Sequence, residues 1–169
     1  MAPKIAVTGL PGTGKSTIVQ KVVELCKTHA TVGGILTRDR RLKGKRIGFE
    51  IIDIASGTQG QLADQWGKGP RVGHYRVNLD DLENIGICAL ETALTCDLIV
   101  VDEVGPMELK SDKFTQAVEK VIASEKPILA VVKQGYNHPL AQAIRRTFKI
   151  ITVTRENRDS LPAEIAEEL

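Results

Sequence analysis

A chain of 169 residues fits one domain, and at that length it buries roughly two-thirds of its unfolded surface, so it needs no disulfide or metal staple. Apolar residues at 42% and charged residues at 26% fit a soluble globular protein, and a net charge of +2 makes no electrostatic case for nucleic acid. Aromatics at 4% leave Val, Ile, Leu and Ala to fill the interior, which favours helices on a parallel sheet over an aromatic-rich sandwich.

Lys4 to Thr8 is a short apolar run that meets a Gly/Pro cluster at once, the pattern of a buried strand entering a turn. From Lys15 to His29, Ile18, Val19, Val22, Val23, Leu25 and Cys26 recur at helical spacing. Further on the pattern changes. Residues 46–54 and 71–79 alternate and are flanked by Gly and basic residues, predicting antiparallel strands or a hairpin insertion beside the main sheet. Between them Gly57, Gly60, Gly67, Gly69 and Pro70 predict a loop or lid over 56–70. Leu98–Val101 is a second buried strand, and residues 111–125 form an amphipathic helix with Ser111 as its N-cap. A strand over 127–132, a short helix over 138–146, a strand over 148–154 and a helix over 160–168 complete the chain. Apolar strands alternating with helices predict an α/β fold, a single domain over residues 1–169 with a mostly parallel sheet flanked by helices.

The three cysteines, Cys26, Cys88 and Cys96, lack metal or redox spacing and read as buried free thiols of a reducing compartment. No stretch approaches ~18 consecutive apolar residues and no signal segment is visible, so the expectation is a cytoplasmic protein without a membrane partner.

Gly9-Leu10-Pro11-Gly12-Thr13-Gly14-Lys15-Ser16 fits G-x-x-x-x-G-K-[ST], the P-loop pattern. Its glycines let backbone N–H groups curl around an anion without Cβ clashes, and the helix beginning near Lys15 adds its positive end. Lys15 reaches β- and γ-phosphates, the Ser16 hydroxyl binds Mg²⁺, and Thr17 falls near the α-phosphate. A chance match arises on the order of once per hundred chains of this length. Here the motif also lies between a buried strand and a helix, as its mechanism requires.

Asp102 and Glu103 close the Leu98–Val101 strand, at the edge where a parallel sheet also delivers the glycine loop. Asp102 is placed to hold Mg²⁺, and Glu103 to orient and deprotonate an attacking water. The same cradle also suits a small kinase or a nucleotide-operated switch.

The chain resembles the nucleoside-triphosphatase family of thermophiles, also known as the cancer-related nucleoside-triphosphatase family. The resemblance is carried by the glycine loop, Gly34-Ile35-Leu36-Thr37-Arg38, Arg46-Ile47-Gly48-Phe49 and Val72-Gly73-His74-Tyr75-Arg76-Val77. Val101-Asp102-Glu103-Val104-Gly105-Pro106-Met107-Glu108-Leu109 and Thr154-Arg155-Glu156-Asn157-Arg158 complete it, over nearly the whole length. It implies a RecA-like P-loop fold and Mg²⁺-dependent hydrolysis of several nucleoside triphosphates to the diphosphate. Asp39 fills a position that is acidic in many relatives, and His74 stands where Lys or Arg is expected.

Several stretches keep two readings. Residues 38–46 hold six basic side chains and one acid, either as a solvated loop tip or to bring Arg38 to the γ-phosphate. Without interleaved aromatics they argue poorly for nucleic acid. Asn157 and Arg158 either meet a nucleotide base or belong to a capped loop. Glu108 is a candidate anchor for the loop past the site, with Met107 and Leu109 as core. Trp66 and Tyr75 read as packing residues, and His29, His74 and His138 have no metal-ligand spacing. The expected partners are nucleoside triphosphates, acted on by a monomer.

Overall fold

The structure, a computed structural model, describes residues 1–169. β1 (Lys4–Thr8) leads through the glycine loop into α1 (Lys15–Cys26). β2 (Val32–Leu42), β3 (Lys45–Asp53), β4 (Gln59–Asp64), β5 (Arg71–Val72) and β6 (Tyr75–Val77) follow. α2 (Leu79–Asp81) then passes through a π-helical stretch (Leu82–Ile87) into α3 (Cys88–Ala93). β7 (Leu98–Val104), a 3₁₀ turn (Glu108–Lys110), α4 (Asp112–Ile122), β8 (Ile128–Val132), α5 (Pro139–Thr147), β9 (Lys149–Thr152) and α6 (Leu161–Glu168) end the chain.

One nine-stranded sheet runs in the order β5-β6-β4-β3-β2-β7-β8-β1-β9. β2, β7, β8, β1 and β9 are mutually parallel, whereas β3, β4, β6 and β5 continue the sheet antiparallel. Because successive strand residues face opposite sides, each central strand feeds two cores. Ile5, Val7, Val100, Leu129 and Val131 face α1 and α6, packing on Ile18, Val19, Val22 and Ile165. Ala6, Ile99, Val101, Ile128 and Ala130 face α3, α4 and α5, packing on Leu90, Phe114, Val118 and Ile144. Both layers are aliphatic, and each fully buried Leu, Ile or Phe contributes ~1.5–3 kcal/mol. This is the expected α/β architecture, a mostly parallel sheet with helices on both faces and an antiparallel extension.

The helix starts follow side-chain chemistry. The Phe114 N–H donates to Ser111 Oγ at 3.0 Å, so Ser111 caps α4 as expected. His138 caps α5 by accepting from the Leu140 N–H at 3.1 Å, with Pro139 at the first helical position.

The middle of the chain departs from expectation. Residues 56–70 are not all loop: Gln59–Asp64 is a strand between β3 and β6, held by burial of Leu62 and Ala63. Its polar residues conceal the pattern. Residues 38–46 are no loop tip either, since Arg38–Leu42 stays in β2 paired with β3, and only Lys43 and Gly44 turn the corner. Charged side chains on both faces of this projecting ribbon leave no apolar alternation to read. The helical segment 79–93 was not anticipated. Two residues differ in burial: Cys88 is exposed while Cys26 and Cys96 are buried, and Trp66 is exposed. Tyr75 does pack, edge-on to Phe49 with ring centroids 5.2 Å apart. No helix is long and apolar enough to cross a membrane.

Candidate functional site

Parallel pairing brings the C-terminal ends of β1, β7, β8 and β9 to one edge of the sheet. A cavity of about 880 Å³ opens there, lined by Gly9, Pro11, Gly12, Gly14, Lys15, Ser16 and Thr17 on one side. Asp102, Glu103, Glu108, Lys133, Thr37 and Arg38 line the other. The residues expected from the glycine loop and the acidic pair therefore meet in one space.

The glycine loop needs its glycines at two points above all. Gly14 sits at φ +96° as the N-cap of α1, a left-handed conformation that costs a side chain strain, and it carries no side-chain cap. A Cβ on Gly9 would lie 2.9 Å from the Val153 carbonyl oxygen, so the loop passes close against the end of β9. The first amides of α1 have no side-chain partner and point their dipole at the cavity, as an anion requires. Leu10 and Thr13 belong to the same turn, with Thr13 Oγ1 donating to the Leu10 carbonyl at 2.8 Å.

Lys15 is half-buried, and its Nζ donates to the Gly9 and Leu10 carbonyls at 2.9 and 3.0 Å. Burial lowers its pKa, while the charges of Glu103 and Asp102 pull it back up. The lysine and both carboxylates thus lie within electrostatic reach of one another.

β7 runs three residues past Val101, and its register against β8 shifts between Val101 and Val104. The irregularity falls on Asp102 and Glu103 and aims side chains, as bulges near active sites do. Asp102 is 1% exposed, and its Oδ2 has no hydrogen-bond partner. Burial, followed by the Glu103 charge, pushes its pKa up to about 7, against the Ser16 hydroxyl, the Thr37 amide and Lys15. Burial also raises Glu103, opposed by Lys15 and Lys133.

A buried carboxylate oxygen without a partner, close to a serine hydroxyl, is an oxygen donor set suited to a hard divalent cation. No three His, Cys, Asp or Glu side chains gather into a cage of their own, so such a cation would draw its other ligands from phosphate and water.

Arg38 and Arg41 line the cavity from β2 and Arg46 from β3, and the guanidiniums of Arg41 and Arg46 pair with Asp39 at 3.0 and 3.6 Å. Arg158 lines a smaller cavity of about 260 Å³ with Gly14, Thr17, Lys21 and Asp159, beside the start of α1. Asn157 is engaged otherwise. Its Oδ1 accepts from the Thr154 N–H at 2.8 Å and its Nδ2 donates to the Thr152 carbonyl at 2.9 Å, which makes it the capping residue of its loop. Glu108 is buried, with Met107 and Leu109 packed against the core beside it.

Sequence reasoning missed Lys133, Gln134 and Thr37 as cavity residues. Lys133 had a signal: it follows the apolar run of β8 at the edge that carries the glycine loop. Thr37, Arg41 and Arg46 had none, because their side depends on how far β2 and β3 run past β7, whereas Arg38 at the site was one of the two readings of its stretch.

The sequence matches the model of a protein family described as NTPase over residues 4–166. It is 52% identical over 164 residues to the nucleoside-triphosphatase THEP1 of Methanosarcina acetivorans, spanning 96% of this chain and 94% of the relative. The corresponding protein of Archaeoglobus fulgidus is 42% identical, with 96% of each chain covered. Among solved structures, THEP1 from Aquifex aeolicus superposes with a TM-score of 0.85 at 33% identity over 96% of both chains. A human cancer-related nucleoside triphosphatase gives 0.82 at 34% identity, over 98% of this chain and 96% of the other. With this coverage, and with the P-loop and its facing acids in place, the chain belongs to the NTPase family.

Proposed function

We propose that this nucleoside-triphosphatase is Mg²⁺-dependent and splits ATP, GTP and other nucleoside triphosphates to the diphosphate and phosphate. The observation that carries the proposal is the glycine loop at the head of α1 facing Asp102 and Glu103 across one cavity. Gly9–Thr17 would hold the phosphates through backbone amides, with Lys15 turning from the Gly9 and Leu10 carbonyls to the β- and γ-phosphates. Ser16 and Asp102 would hold the metal, which would supply positive charge to offset that of the phosphates.

Glu103 then orients a water and takes its proton as the water oxygen bonds to the γ-phosphorus. The bond from that phosphorus to the β–γ bridging oxygen breaks, and the diphosphate leaves. Burial raises the basicity of this carboxylate, which suits the task, and a positioned base is worth ~10²–10⁴ in rate. Arg38 offers a cation from the β2 side of the cavity. Arg158, beside the start of α1, is placed for the nucleoside end, whereas the bonds of Asn157 favour a role in holding that loop.

The test is release of free phosphate from ATP, GTP, CTP and UTP, with and without Mg²⁺ and with no acceptor present. The proposal predicts Mg²⁺-dependent release from all four. Release only when a phosphate acceptor is added would instead identify a kinase.

A further inference from the structure

In the order β7-β8-β1, β8 lies between the strand that carries the acidic pair and the strand that opens the glycine loop. The residue that leaves the end of β8 therefore emerges between the two halves of the site. That residue is Lys133, and it lines the same cavity as Lys15, Asp102 and Glu103. Its ammonium forms no ion pair and no hydrogen bond within the chain.

Its backbone, by contrast, is fixed from both sides. The Lys133 N–H donates to the Val104 carbonyl at 3.5 Å, tying it to the end of β7. Its carbonyl accepts from Arg145 Nη2 at 2.8 Å and from the Tyr136 N–H at 3.2 Å. Arg145 also donates through Nη1 to the Tyr136 carbonyl at 2.8 Å, which closes the turn after β8 onto α5. Such an anchored backbone with an unpaired terminal charge is how a fold presents a cation to something else. The Lys133 charge acts on both Lys15 and Glu103, which places it within electrostatic reach of the nucleophile side and the phosphate side together.

We propose that Lys133 is a second lysine of the catalytic centre, which contacts the γ-phosphoryl oxygens and stabilises the charge that builds on them during transfer. The proposal rests on the hydrolytic reading above and deepens it. Lys15 belongs to the loop that holds the ground-state phosphates. Lys133 comes from a different strand, beside Glu103, where the phosphoryl group moves as it leaves the diphosphate. A donor aimed at charge that develops only in the transition state acts on kcat more than on KM, and removing one such donor costs ~10²–10³ in kcat. An ammonium that enters from the rim of an open cavity is more solvated than an enclosed donor, so about 10- to 100-fold is expected here.

The experiment compares wild type with Lys133→Met and Lys133→Arg, by steady-state phosphate release and by binding of the diphosphate with and without aluminium fluoride. The inference predicts that Lys133→Met lowers kcat about 10- to 100-fold while KM stays within about threefold, and that Lys133→Arg recovers much of the loss. Binding of diphosphate alone should persist, while its tightening by aluminium fluoride is lost. The unfolding midpoint should stay put, because the side chain is exposed and unpaired. If kcat of Lys133→Met stays within twofold, or if only KM rises, the inference is wrong and the hydrolytic reading stands. A wild-type protein that releases no phosphate would remove that reading and this inference with it.

Discussion

Glu103 and Glu108 bring their carboxyl groups to the same buried corner above Gly105. A Cβ on that glycine would lie 2.9 Å from Glu103 Oε1 and 3.3 Å from Glu108 Oε2. Glu108 is 3% exposed and its Oε2 has no partner. Burial and then the Glu103 charge push its pKa well above the usual carboxylate range. Two acids so placed cannot both ionise cheaply, and the more buried Glu108 is the one pushed harder toward its protonated form.

Glu108→Gln therefore replaces a neutral acid with a neutral amide of the same shape. The raised folded-state pKa of Glu108 means that its stabilising contribution is full below its unfolded value and is lost as pH rises through the folded one. At pH 8 the glutamine variant should unfold at a higher denaturant concentration than wild type. At pH 4 the two should nearly coincide, and phosphate release should fall by less than about tenfold. Denaturation curves at the two pH values check this.

Asp102 titrates by the same logic, with a folded pKa of about 7 against an ordinary value of 3.8. Measured with chelator and without nucleotide, stability should decline as pH rises from about 4 to 7, by a few kcal/mol in all at ~1.4 kcal/mol per unit. Asp102→Asn should flatten that decline and abolish Mg²⁺-dependent stabilisation by nucleotide. Added Mg²⁺ and nucleotide should oppose the loss in wild type, because a cation favours the charged carboxylate. Thermal melts across this range read all three effects.

Gly86 lies in the π-helical stretch, where a Cβ would meet Phe114 Cε2 at 2.8 Å. Phe114, in the first turn of α4, is fully buried in the layer between that helix and the sheet and has little room to move. Gly86→Ala should destabilise by ~1–3 kcal/mol through overpacking, despite the better helix propensity of alanine. Pairing it with Phe114→Leu should recover part of the loss, and a double-mutant cycle of urea midpoints measures the coupling.

The parallel half of the sheet was legible because β1, β7 and β8 are buried on both faces and read as unbroken apolar runs. The glycine loop and the Asp102–Glu103 pair were legible because phosphate and metal chemistry constrain residue types at fixed spacing. β4 was not, since only the adjacent Leu62 and Ala63 of its six residues are buried and the other four are polar or glycine, which leaves no period-2 pattern. The helix over 79–93 did carry a signal, with Leu82, Ala89, Leu90 and Ala93 at helical spacing, but Gly86 interrupts it. The ribbon of β2 and β3 takes its shape from pairing rather than burial, and its charges read as loop. Which cavity residues join Lys15 and Glu103 depends on strand order, and strand order is not written in any local pattern.

The central claim is that Glu103 acts on a water held against a triphosphate in the glycine loop. The most direct measurement is single-turnover hydrolysis and nucleotide affinity of Glu103→Gln beside wild type. The account predicts that affinity stays within a few-fold while turnover drops by ~10²–10⁴. Turnover within about twofold of wild type would contradict it and leave the base to another residue.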